Sequence, residues 1–123
     1  MRRLTLLLAA VTLLTTACVD DSRPTTCDEP RVELELDLGA EALTPDAPAV
    51  CRDQEVTLRI ASEVDGVIHI HGYDAVVPAT EVSAGDVLQL TFTAARSGQF
   101  PIELHPADDP RGVSVGVFTV HEP

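Results

Sequence analysis

Two histidines stand two residues apart in the stretch VIHIHGYD, residues 67–74. Imidazoles at that spacing on a strand share one face, about 6.5–7 Å apart at Cβ, and two such rings can hold one ion. His69 and His71 are therefore the first candidates for chemistry in this chain. A third donor would come from His105, from Asp74, or from the Asp108–Asp109 pair. Imidazole with carboxylate suits Cu(II) or Zn(II), and the divalent affinity order favours Cu(II). The competing reading is structural: Ile68 and Ile70 pack inward, and the histidines face solvent or plug one end of the core. Alternation with Phe100, Ile102 and Leu104 then puts Glu103 and His105 outside, and His105 approaches His71 only where its strand ends or twists. Asp74 also suits a role as an acceptor that orients an imidazole. Tyr73, the only tyrosine, is expected to cover one end of the core with its hydroxyl on a polar neighbour.

The other reactive residues are three cysteines, Cys18, Cys27 and Cys51. Their setting begins with Met1-Arg2-Arg3 and the apolar run Leu4 to Leu14, too short for the ~20 residues a bilayer span needs. The following LLTTAC, ending at Cys18, resembles the lipobox of bacterial lipoproteins, although Thr15 stands where a leucine is usual. That resemblance implies lipidation of Cys18 as the mature N-terminus; ordinary cleavage after Ala17 is the alternative. If Cys18 carries lipid, Cys27 and Cys51 are left to form one disulfide, as suits an oxidising compartment. Two reduced thiols are the other reading, and no C-x-x-C spacing suggests a metal pair. No serine lies in an activating motif and no phosphate loop exists, so an enzyme is not expected.

The whole chain sets the frame. Its 123 residues, 45% apolar, suit one small domain with a modest core. The net charge is −12, with eight arginines, no lysine and no basic cluster, which disfavours nucleic acid as a partner. Loss of residues 1–17 removes two arginines and no acid, taking the charge to −14. Three parts are expected: a signal peptide over 1–17, a polar lipidated tether over 18–30, and a domain over 31–121.

Within the domain the period is two. RVELELDL alternates Val32, Leu34, Leu36 and Leu38 with charged residues, and EVTLRIAS repeats the pattern with Val56, Leu58 and Ile60. GAEALTPDAPAV reads as a loop, Asp65-Gly66 as a hairpin-type turn, VIHIH as a strand, and Asp74 to Ser83 as irregular. Ala84-Gly85-Asp86 turns into VLQLTFTA, and Arg96-Ser97-Gly98 into QFPIEL, where Pro101 marks an edge or a bulge. HPADDPRG is a loop before the closing strand VSVGVFTV. No segment of helical length carries a 3.6 period, which leaves an all-β sandwich or barrel.

The order of the pieces adds more: VIHIHGYD, then VSAGD, LQLTFTA, SGQFPIEL, a loop and VGVFTV. This set resembles the cupredoxin family over residues 31–121, particularly the divergent domains of exported bacterial proteins and the copper domains of cytochrome oxidase and nitrous oxide reductase. The resemblance implies an antiparallel or mixed Greek-key β-sandwich of about seven to eight strands. Carried over residue by residue, the family's first histidine ligand falls on His71, its cysteine on Leu104, its second histidine on Ala107 and its methionine on Ser114. One ligand of four remains, and a type 1 copper site needs a thiolate. The H-x-H pattern also occurs in copper–zinc superoxide dismutases, but four histidines with Asp108 and Asp109 do not supply that family's bridging histidine and zinc loop.

The expectation is an exported, membrane-anchored protein facing the periplasm or cell exterior, with its lipid in the membrane and a protein partner in the envelope. Two functions stand. One is weak binding of a copper ion through His69 and His71, aided by His105; the other is a metal-free interaction module that kept only the fold.

Overall fold

The computed structural model describes residues 27–123. The signal segment 1–17, Cys18 and the tether as far as residue 26 therefore lie outside the described residues.

The alternating segments form the long strands: β1 (Arg31–Leu38), β4 (Glu55–Ser62), β5 (Gly66–Ile70), β7 (Val87–Thr93), β8 (Gly98–Pro106) and β9 (Val113–His121). Three short strands join them in stretches that read as loop or irregular: β2 (Leu43–Thr44), β3 (Ala49–Cys51) and β6 (Thr80–Val82). Two or three residues are too few to display a period, so the sequence could not announce them. One sheet runs β2-β1-β4-β7 and the other β3-β9-β8-β5-β6. The β1–β4 and β3–β9 pairs are parallel and the rest antiparallel.

The inner faces meet in one core. Leu36, Leu38, Val56, Leu58, Ile60 and Phe92 come from the first sheet; Ile68, Ile70, Phe100, Ile102, Leu104 and Phe118 come from the second. Burying these branched and aromatic side chains holds the layers together, at roughly 1.5–3 kcal/mol for each that is fully buried. Tyr73 is buried among the phenylalanines, with ring centroids 4.6 Å from Phe100, 5.5 Å from Phe92 and 5.7 Å from Phe118. Its hydroxyl donates to the Arg96 carbonyl at 2.7 Å and accepts from the Arg96 N–H at 3.1 Å.

The turns do something other than close hairpins. Asp65-Gly66 leads from β4 in one sheet to β5 in the other, Gly85 from β6 to β7, and Gly98 from β7 to β8. The hairpin expected at Asp65-Gly66 is thus a crossover: Gly66 pairs with Pro106 of β8, and a Cβ at Gly66 would overlap the His105 carbonyl. Pro101 lies in a central strand, and the irregularity it foretold is a register shift between Ile102 and Glu103.

Cys27 and Cys51 are joined, with Cα atoms 5.5 Å apart. Gln54, buried beside them, accepts from the Cys51 N–H at 2.7 Å and donates to the Glu29 carbonyl at 2.8 Å. The segment before β1 is therefore fastened to the β3–β4 region by the disulfide, by Gln54 and by the Glu55 N–H, which donates to the Pro30 carbonyl at 2.9 Å.

Candidate metal centre

Because Ile68 and Ile70 are buried, His69 must lie on the outer face of its sheet. On β8 the same rule turns Glu103 and His105 outward between buried Ile102 and Leu104. The pairing of β5 with β8 then sets the distances. His69 stands directly opposite Glu103, while Val67 stands opposite His105. His105 is thus the diagonal neighbour of His69, within reach of a long side chain. Just beyond β5 the His71 N–H donates to the Pro101 carbonyl at 2.9 Å, so His71 takes the other diagonal from Glu103.

The side chains meet accordingly. His105 Nε2 lies 2.9 Å from Glu103 Oε1 and 3.1 Å from His69 Nε2. His69 Nε2 lies 4.0 Å from Glu103 Oε1. His71 Nε2 donates to Glu103 Oε2 at 2.7 Å. The donor atoms of His69, Glu103 and His105 all fall within 4.8 Å of one another, as one ion requires. His69 is the most sheltered, at 15% side-chain exposure against 47% for His71.

The surroundings fix these groups. Asp74 accepts at Oδ2 from the Gly72 N–H at 3.2 Å, and its Oδ1 faces His69 Nδ1 at 3.3 Å. An ionised carboxylate only accepts, so it holds the proton on Nδ1 and leaves His69 Nε2 as a lone-pair donor. The hydrogen bond from His69, and then that from Gly72, keep the Asp74 carboxyl below its ordinary range. The His71 hydrogen bond does the same for Glu103, helped by the charges of His71, His105 and His69. Such a group adds stability above the ordinary carboxylate range and loses it only as pH falls through the lowered value. Glu103 is therefore ready to act as an anionic ligand at neutral pH. Gly72 has φ +88° and lies against Phe100, and Arg96 ties down its carbonyl at 3.0 Å, so the turn carrying His71 and Asp74 is clamped to the core. Gly112 matters for a steric reason: a Cβ there would overlap the Glu103 carboxylate.

Of the candidates named from sequence, His69 and His105 come together, and His71 reaches the group through Glu103. His105 approaches His69 rather than His71, as its diagonal neighbour across the β5–β8 pair. Asp74 stands behind His69, on the side away from the other donors. Asp108 and Asp109 stay apart; Asp109 binds Arg111 at 2.9 Å. Sequence reasoning left Glu103 out of the ligand set, although the alternation had placed it beside His105 on the outer face. The missing datum was the register of β5 against β8, set by pairing across two intervening strands.

The carry-over of the family's copper ligands does not survive this register. Leu104 is level with Ile68, and its side chain enters the core, whereas His71 is level with Pro101 and bonds Glu103 on the outer face. Groups on opposite faces cannot share an ion. Leu104 and Ala107 instead border a cleft of 540 Å³ whose charged groups are Glu63, Asp65, Asp108 and Asp109. The cysteines among the described residues are bonded to each other. The residues present do not fit a type 1 copper.

No protein-family model matches the chain, and no curated protein matches it. Solved structures do. It is similar to a multicopper oxidase from Pseudomonas thermotolerans, at 18% identity and a TM-score of 0.56, over 75% of this chain and 30% of that one. It is also similar to auracyanin A, a blue copper protein from Chloroflexus aurantiacus, at 19% identity and a TM-score of 0.55, over 73% of this chain and 98% of that one. A third likeness is the metal-binding domain of the Cu(I)-exporting P-type ATPase of Streptococcus pneumoniae, at 10% identity and a TM-score of 0.54, over 77% and 90%. The chain matches less than a third of the length of the oxidase. Fold and likenesses define the class: over the described residues, an all-β, cupredoxin-like sandwich of nine strands in two mixed sheets. Within that class, this chain carries a histidine–glutamate group on a sheet face.

Proposed function

We propose that this protein is a non-enzymatic envelope module that binds a copper-like divalent ion through His69, Glu103 and His105, away from the position of the family's type 1 site. The observation that carries the reading is the approach of three donors, two imidazoles and one carboxylate, within 4.8 Å. Imidazole and carboxylate suit Cu(II), Zn(II) or Ni(II), and the absence of sulfur from the group disfavours Cu(I). A surface site half open to solvent suits a carrier or sensor, which must load and release its ion. The disulfide supports an oxidising compartment. We assign Cys18 as a lipid anchor on the LLTTAC pattern, holding the domain at the membrane on the periplasmic or outer side. The intact mass of the mature protein tests this: diacylglycerol on Cys18 is expected, and an unmodified N-terminus at Cys18 overturns it.

Calorimetric titration with Cu(II) tests the binding. One saturable site with micromolar or tighter affinity, about −8 kcal/mol or better, is expected. His69→Ala and His105→Ala should abolish it in that range. Gly112→Ala keeps every donor but displaces the Glu103 carboxylate, and should weaken binding about tenfold, the lower end of what loss of a ligand-orienting contact costs. If the native protein shows no saturable binding, the metal-free interaction module is the function that stands.

A further inference from the structure

The three donor distances contain more than proximity. Three corners of a tetrahedron with ~2.05 Å bonds would stand ~3.3 Å apart in every pair. Here the separations are 2.9, 3.1 and 4.0 Å. A point equidistant from all three atoms lies ~2.0 Å from each, in their plane, with angles of about 90°, 100° and 170° between the bonds, the pattern of three corners of a square rather than of a zinc tetrahedron. His105 Nε2 takes the middle corner; His69 Nε2 and Glu103 Oε1 lie opposite one another.

The fourth corner is then opposite His105, and the strand register says what lies there. Along β5, His105 flanks the His69–Glu103 rung on the side of Val67, and His71 flanks it on the other side. His71 Nε2 is 2.7 Å from Glu103 Oε2, one carboxylate's width from the oxygen already counted, and its ring centroid is 4.5 Å from that of His69. His71 stands outside the group whose donor atoms lie within 4.8 Å of one another, so its ring must rotate, exchanging this hydrogen bond for a metal bond, to bring the nitrogen to the corner.

Resting on the metal-binding reading above, we propose that His71 is the fourth equatorial ligand of a planar site, His69–His71–Glu103–His105, and that this plane makes the site specific for tetragonal Cu(II) against tetrahedral Zn(II). Square-planar or tetragonal N,O sites favour Cu(II) and Ni(II), whereas Zn(II) has no electronic preference for the plane.

Electron paramagnetic resonance of the Cu(II)-loaded protein, with competition between Cu(II) and Zn(II), tests this on the native chain and on His71→Ala. The native protein should give an axial spectrum with the large parallel copper splitting of a tetragonal ion and couplings to three imidazoles. His71→Ala should still bind one Cu(II), but with couplings to two imidazoles, at least tenfold weaker affinity and a reduced preference for Cu(II) over Zn(II). A native spectrum with the small splitting of a tetrahedrally distorted ion overturns the planar geometry. An unchanged spectrum and affinity in His71→Ala overturns the role of His71. Either result leaves binding at His69, Glu103 and His105 intact, whereas loss of saturable binding by every ion removes the parent reading as well.

Discussion

Replacing Phe118 with alanine is expected to cost about 3–5 kcal/mol of folding stability, the range for removing a buried aromatic ring. Phe118 is fully buried on β9, and its ring centroid lies 5.6 Å from that of Phe92 on the opposite sheet. It is therefore a tie between the two layers as well as part of one. The chain has only three phenylalanines, one tyrosine and no tryptophan, and all four rings meet in this cluster. A domain of this size is held by some 5–15 kcal/mol, so the loss is a large share of the whole. Urea unfolding followed by circular dichroism measures it, and Phe118→Leu, which keeps more volume, should lose distinctly less. A loss below 1 kcal/mol in the alanine variant would show that the ring does not bridge the sheets.

Removing the Cys27–Cys51 bond comes next in size. The two residues are 24 apart in sequence, and closing a loop of that length restricts the unfolded chain by about 3 kcal/mol in the chain-entropy account. Cys27→Ser with Cys51→Ser should lower stability by roughly that amount, and a reductant should do the same to the native protein but leave the double variant unchanged. Copper affinity should stay within about twofold in the folded variant, because sites this far apart and without shared partners behave independently. The histidines and glutamate belong to β5, its following turn and β8, while the disulfide fastens the segment before β1 to β3. A stability change under 1 kcal/mol would mean that Gln54, through Cys51 and Glu29, holds that segment without the covalent link.

The class of fold was legible because its long strands display their inner faces. Val32 to Leu38, Val56 to Ile60 and Phe100 to Leu104 alternate cleanly, and no helical period competes. The sheet to which each strand belongs was not legible at Asp65-Gly66, because a turn dipeptide serves a crossover as well as a hairpin. The candidate site divides in the same way. His69, His71 and His105 announce themselves by residue type, and alternation places them outward. Glu103 is one acid among many in an acidic chain, and only the pairing of its strand with β5 singles it out. The same pairing sets His71 three residues along the chain from Ile68, the residue level with Leu104, and on the opposite face of the sheet.

The strand β7 has one further consequence. Among the described residues it ends its sheet, and one row of its backbone N–H and C=O groups has no neighbouring strand there. Its sequence, VLQLTFT, holds no charge and no proline, and Val87 at its start is 55% exposed. Such a rim is a template on which another copy can add a strand, and proteins commonly blunt it with lysine, proline or a bulge. This chain has no lysine to place there. A net charge of −12 makes approaching copies repel one another over the ~10 Å screening length of 0.1 M salt. The acidity thus has a colloidal role, opposing the association of copies while the rim itself stays uncharged.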